Sequence, residues 1–125
     1  MDDTEIEDGL ARAARLFDAA SYHEAHEVLD ALWEEAAPAE QDFFKGLIQA
    51  CIALHHHQLG NADGARKLYS GHRRYLARFL PAHRGVDVAA FLGDMQAFLA
   101  PLLQARPGDE PAFELERAPR MRRTA

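Results

Sequence analysis

The sequence predicts an all-α protein, a single compact bundle of about five helices built from antiparallel hairpins. Three observations carry this expectation. Apolar residues recur at three- and four-residue spacing from the N-terminus to about residue 104, and no segment alternates with period two for long enough to make a sheet. Glycine, proline, asparagine and aspartate fall between the periodic segments, where helices begin and end. With 125 residues, 48% of them hydrophobic, the chain can bury a core as one domain.

The first helix is expected from about Thr4 to Ala19, with Ile6, Leu10, Ala13, Ala14 and Phe17 inward. Ser21 and Glu24 have the spacing of a capping box, which predicts the start of the second helix. Val28, Leu29 and Leu32 form its core stripe, and Pro38 closes it. The third helix, about Ala39 to Leu59, is apolar nearly all round from Leu47 to Leu54, as befits the most buried element. Gly60 stops it and Asn61 caps the fourth.

That fourth helix should bury Ala65, Leu68, Tyr69, His72, Tyr75, Leu76, Phe79 and Leu80 before Pro81. Asp87 caps the fifth, with Val88, Phe91, Leu92, Met95, Phe98 and Leu99 inward and Pro101 ending or kinking it. The domain reading is therefore a bundle over residues 1–104 and an extended or disordered tail rich in proline and arginine over 105–125. Ala20-Ser21-Tyr22-x-x-Ala25 is echoed about 40 residues later by Gly60-Asn61-x-x-Gly64-Ala65, which relates two helix hairpins. Two units are too few for a solenoid, so a closed bundle is expected.

Composition excludes several function classes. One cysteine, Cys51, rules out a disulfide framework and suits a reducing cytoplasm. Residues 1–9 carry five acids and no base, unlike a secretory leader, and no apolar run reaches the roughly 18 residues of a membrane span. A cytoplasmic protein with no membrane partner is the expectation. Residues 1–42 hold 13 acids against Arg12 and Arg15, whereas Gly64 to Val86 holds six cations and no acid. This polarity reads first as a plain solvated face, with a homodimer or a protein partner as the alternative. Nucleic acid is disfavoured, because Tyr69, Tyr75 and Phe79 fall on the apolar side of the basic stretch.

The chemistry-bearing residues concentrate in Tyr22 to Trp33, YHEAHEVLDALW. His26, Glu27, Asp30 and Trp33 are spaced to line one strip of the second helix. On the third, Gln49 and His56 are seven apart and share a stripe. If the two helices pack antiparallel, the two polar sets meet in a pocket, and Gly46 admits a close backbone approach or the Trp33 ring.

Three readings stay open for that set. It is a satisfied polar network that fixes register, a metal site, or an acid/base centre. A metal would use His26, Glu27 and His56, although H-E-x-x-H is not completed and no Glu-x-x-His pair exists. No cofactor is required by the sequence, a divalent metal is one option, and whether the chain is an enzyme is left open. Of His55, His56 and His57, the phase with Gln49 puts His56 inward, His57 in solvent and His55 at either place. His23 lies at the rim of the cluster, and His72 within the apolar stripe of the fourth helix.

Together Phe17, Tyr22, Ala25-His26-Glu27, Asp30, Trp33, Gly46-Leu47-Ile48-Gln49, His56, Gly60-Asn61 and Gly64-Ala65 resemble the DUF309 family of small helical prokaryotic proteins. The resemblance covers about Ala14 to Leu103, and Asp30 and Lys45 depart from its usual pattern of glutamate and glutamine. It implies a compact α-helical bundle and points to His26, Glu27, Asp30, Trp33, Gln49 and His56 as the residues to test. It brings no activity, substrate or cofactor. The leading functional expectation is a binding or interaction module with a polar pocket between the second and third helices. The alternative is a small metal-dependent or acid/base hydrolase using the same cluster.

Overall fold

The structure, a computed structural model, describes residues 1–124. Among them five α-helices form the bundle: α1 (Asp3–Asp18), α2 (Tyr22–Glu35), α3 (Pro38–Gln58), α4 (Ala62–Leu76) and α5 (Val88–Gln104). A short 3-10 turn, Ala77–Phe79, follows α4, and another spans Leu115–Arg117. Among the described residues, strand-like pairing is limited to isolated bridges of Val86 with His83 and Arg123. No described helix is long and apolar enough to cross a membrane.

Each helix start has a local cause. Asp2 and Glu5 make a reciprocal capping box at α1, with Asp2 Oδ1 accepting from Glu5 N–H at 2.8 Å. Asn61 accepts from Gly64 N–H, and Asp87 from Ala90 N–H. Pro38 opens α3 at its first turn and does not end α2, which stops at Glu35. Ser21 precedes α2, but its hydroxyl makes no capping bond, so the expected box with Glu24 is absent. The α1–α2 turn is closed by backbone bonds instead. Ser21 N–H donates to Leu16 O and Ala20 N–H to Phe17 O, with Ala20 at φ +60°.

The α3–α4 turn repeats that arrangement 40 positions later. Asn61 N–H donates to His56 O, Gly60 N–H to His57 O, and Gly60 sits at φ +75°. The sequence echo is therefore two copies of one helix-terminating turn, and the first copy places an L-residue in the left-handed region. Ala20→Gly should raise stability by roughly 0.5–1 kcal/mol, and Gly60→Ala should lower it by a similar amount. Chemical denaturation of both variants reads this directly; equal signs would contradict it.

α3 is the central element, with ten buried residues from Phe43 to His57. α2 and α4 pack against it, and α1 packs on α2. The bundle is closed by α5, because the Phe91 ring lies 5.4 Å from Phe17 of α1 and 5.2 Å from His72 of α4. Pro101 is accommodated within α5, which continues to Gln104. Leu80, expected inside, is 50% exposed, since the chain leaves α4 at Leu76 and turns away.

Beyond α5 the chain runs mostly extended across the bundle and is tied to it. Phe113 packs on Tyr22 and Phe98, and Met121 is buried, its N–H bonded to Asp18 Oδ1 at 2.9 Å. Arg122 O accepts from Asp87 N–H, and Thr124 N–H donates to Gly85 O. Residues 105–124 thus form a strap from the end of α5 back to the α1 terminus.

Candidate functional site

On α2 the polar residues form two parallel imidazole–carboxylate pairs. His23 Nε2 lies 3.1 Å from Glu27 Oε1, and His26 Nε2 lies 3.2 Å from Asp30 Oδ2. Both are i,i+4 pairs on one helix face. His26 Nδ1 also donates to His23 O at 2.9 Å, which fixes the ring's orientation. The His23 ring lies 5.3 Å from that of His26 and 5.8 Å from that of His55 on α3. His23 and Glu27 are well exposed, at 63% and 61%, whereas the His26 side chain is only 23% exposed. The strip is a surface at the α2–α3 boundary, built by i,i+4 pairing and joined by one imidazole from the neighbouring helix.

Gln49 and His56 do share a stripe of α3, but it faces α4. A methyl group placed on Gly71 of α4 would overlap Gln49 Oε1. One placed on Gly64 would fall 2.8 Å from His56 Cγ. His56 Nδ1 is bonded to Asn61 Nδ2 at 3.2 Å, so this imidazole braces the α3–α4 turn. No hydrogen bond joins either residue to His26, Glu27 or Asp30 among the described residues. Nor does any group of three or more His, Cys, Asp or Glu among them stand ready to hold a metal ion, so His26, Glu27 and His56 are not assembled as a metal centre. Gly46 likewise serves α4, where its bare Cα admits Leu76, and not the Trp33 ring. Trp33 is half-buried at the end of the α2 strip, with Lys45 Nζ 5.6 Å from its ring centre and 5.8 Å from that of Tyr75 on α4.

The histidine triplet is ordered differently from its phase with Gln49. His57 is the buried one, while His55 and His56 are half-exposed. The ring of His57 is wedged between Phe98, at 5.8 Å, and Phe113, at 5.5 Å. Burial lowers its pKa. The Phe113 wall comes from the strap, which carries no periodicity to announce it.

Two polar groups outside the strip were not signalled as sites. His72 is wholly buried in α4; Nδ1 donates to Gly46 O at 2.9 Å and Nε2 has no partner among the described residues. Desolvation pulls its pKa down to about 4 against the supporting bond from Gly46, so it is a neutral core histidine. Glu40, at the start of α3, accepts from His83 at 2.8 Å and from Arg84 Nη2 at 2.7 Å. The Arg84 hydrogen bonds hold its carboxyl down at about 2, and Arg84 is shifted up in turn. This bidentate clamp fixes the loop before α5 to α3. With Arg78 on Asp42 and Arg66 on Leu102 O, it engages three of the six cations of the basic stretch in the fold. Lys67, Arg73 and Arg74 are left exposed on α4. Cys51 is fully buried, its thiol pushed up by desolvation, and has no access to act as a nucleophile.

A half-open groove of about 490 Å³ lies elsewhere, between α5 and the strap, with His57 at one edge. Its other walls come from residues beyond 90, far from the α2 strip.

Comparison with known proteins agrees with the resemblance but over a shorter span. A stretch of 67 residues is 36% identical to the uncharacterized protein YpuF of Bacillus subtilis (strain 168), covering 53% of this chain and 37% of that protein. The family model described as "Domain of unknown function (DUF309)" matches residues 10–68, from the middle of α1 into α4. The matched span contains the α2 strip, Gly46, Gln49 and both copies of the helix-ending turn, so it is this segment that is similar to the DUF309 family.

Proposed function

We propose that the chain is a protein-interaction module rather than a hydrolase, with the imidazole–carboxylate strip of α2 as its recognition face. The observation that carries this is the pairing of two ordered His–acid couples along one surface strip of α2. The core does not need them. With Glu24 and Glu34 beside them the strip is acidic, and Trp33 at its end supplies an aromatic anchor. Such a face selects a basic segment. The hydrolase alternative would need His56 beside His26 and Glu27, and His56 is engaged with Asn61.

A second copy of this chain meets the requirement. Lys45 approaches both Trp33 of α2 and Tyr75 of α4, and Arg74 lies over the Tyr75 ring, so the Trp33 end of the strip and Arg74 flank α3 on a common side. A two-fold axis near Lys45 would set each strip against the partner's cations and close the pair.

Light scattering and sedimentation at low and moderate salt test this. Association should weaken about tenfold in Glu27→Lys/Asp30→Lys and in Arg73→Glu/Arg74→Glu, and recover when the two variants are mixed. A chain that stays monomeric at about 100 μM, or variants that associate as the wild type does, would overturn it.

A further inference from the structure

The groove between α5 and the strap has the features of a small-molecule site that the α2 reading does not use. Its volume of about 490 Å³ lies within the roughly 300–1,000 Å³ common for such sites. One wall is apolar, made by Ala97, Phe98 and Pro101 of α5 and by Pro111 and Pro119 of the strap. The charged lining is nearly self-compensated. Arg122 Nε is 3.0 Å from Asp94 Oδ2, and Arg117 Nε is 3.1 Å from Glu114 Oε2.

Arg120 is the exception, for it lines the groove and has no carboxylate partner among the described residues. His57 lines it as well, and its ring makes no hydrogen bond to another residue among those described. A second, smaller hollow of about 270 Å³ shares His57, Pro111 and Ala112, so this imidazole stands where the two spaces adjoin.

An apolar wall, one uncompensated guanidinium and one neutral imidazole with free polar capacity together define a ligand chemistry. We propose that this groove binds a small amphipathic carboxylate, with the alkyl or aryl body along Phe98 and Pro101 and the carboxylate at Arg120. The guanidinium fork matches a carboxylate in two parallel hydrogen bonds. His57, at the edge of the same groove, has an N–H to offer to the ligand or to a water beside it. A purely apolar ligand would leave Arg120 and His57 without partners, and a small hydrophilic anion would leave the wall unfilled.

The strap makes the site, since it supplies Pro111, Pro119 and Arg120. Residues 10–68 contribute only His57 to it, so the binding function belongs to the segment beyond the matched span.

The test is a titration of the full chain with sodium octanoate, followed by calorimetry and by amide shifts. Saturable one-to-one binding with Kd on the order of 1 mM or tighter is expected, with shifts centred on α5 and on residues 111–122. Ala97→Trp, an exposed position on α5, fills the groove and should abolish binding. Arg120→Gln, and octanol in place of octanoate, should each weaken it about tenfold. Circular dichroism of both variants confirms that the fold is kept. Absence of saturable binding at about 10 mM octanoate, or equal affinity in Ala97→Trp, would overturn the proposal. Failure here leaves the α2 strip untouched, because no residue is shared between them.

Discussion

Gly46→Ala is expected to destabilise the protein by about 2–3 kcal/mol, against a helix-propensity gain of up to about 1 kcal/mol that the same change brings in open space. The added methyl carbon would sit 2.6 Å from Leu76 Cγ, 2.8 Å from its Cδ2 and 3.2 Å from its backbone nitrogen. The last contact decides the size of the effect. A leucine side chain can rotate, but the α4 backbone can retreat only by separating from α3 along their whole interface. α5 provides the control within the same molecule, since nothing among the described residues lies within 4 Å of a methyl group at Gly93. Gly93→Ala should be neutral or stabilising. Urea denaturation of the two variants measures the contrast. Gly71→Ala lies between them, because it meets the movable end of Gln49. If Gly46→Ala proves no worse than Gly93→Ala, the close α3–α4 approach is not what holds the hairpin.

Stability should also fall by about 2 kcal/mol between pH 7 and pH 5 on account of His72 alone. The unfolded chain takes up this proton near pH 6.5, whereas the buried imidazole does so at about 4. Between those values the unfolded state binds more protons, so stability is fully present above 6.5 and is lost as pH falls towards 4. His57, lowered by burial as well, adds a loss of the same sign. Below pH 4.5 a further loss sets in, because the Glu40 carboxyl keeps its charge down to about 2 in the fold. Denaturation midpoints of wild type and His72→Phe, taken from pH 7.5 to 4.5, isolate the term. The variant should show a visibly shallower slope, and parallel curves would mean that His72 is hydrated in solution.

How much of this was legible in the sequence differs by element. Helix positions were, because caps and stops are local: Asn61, Asp87 and Gly60 act where spacing puts them. Ser21 was misread since the turn before it already satisfies the α1 carbonyls through its backbone, and its φ, ψ of −88°, 64° gives no capping bond. For the site, the seven-residue spacing of Gln49 and His56 fixed their shared phase correctly. Phase does not say which neighbour is met. α3 is covered on several sides, so the same stripe could face α2 or α4, and the glycines at 64 and 71 decide for α4 by leaving room there. His57 escaped for the related reason that a helix buried nearly all round has no solvent phase to contrast with. Glu40 and Arg84 meet across 44 positions, and the strap reaches α1 through contacts with no period. Such pairings leave no local trace.

The bond from Met121 to Asp18 joins positions 103 apart, whereas each helix-ending turn is closed within six residues. Ordering so long a segment costs entropy that only an assembled bundle can offset, through the pocket that receives Met121 and the Phe113 ring. The hairpins should therefore form first and the C-terminal segment dock last. Refolding followed at the strap should lag refolding followed at α3, and protease should open the native molecule at the strap before any helix is cut.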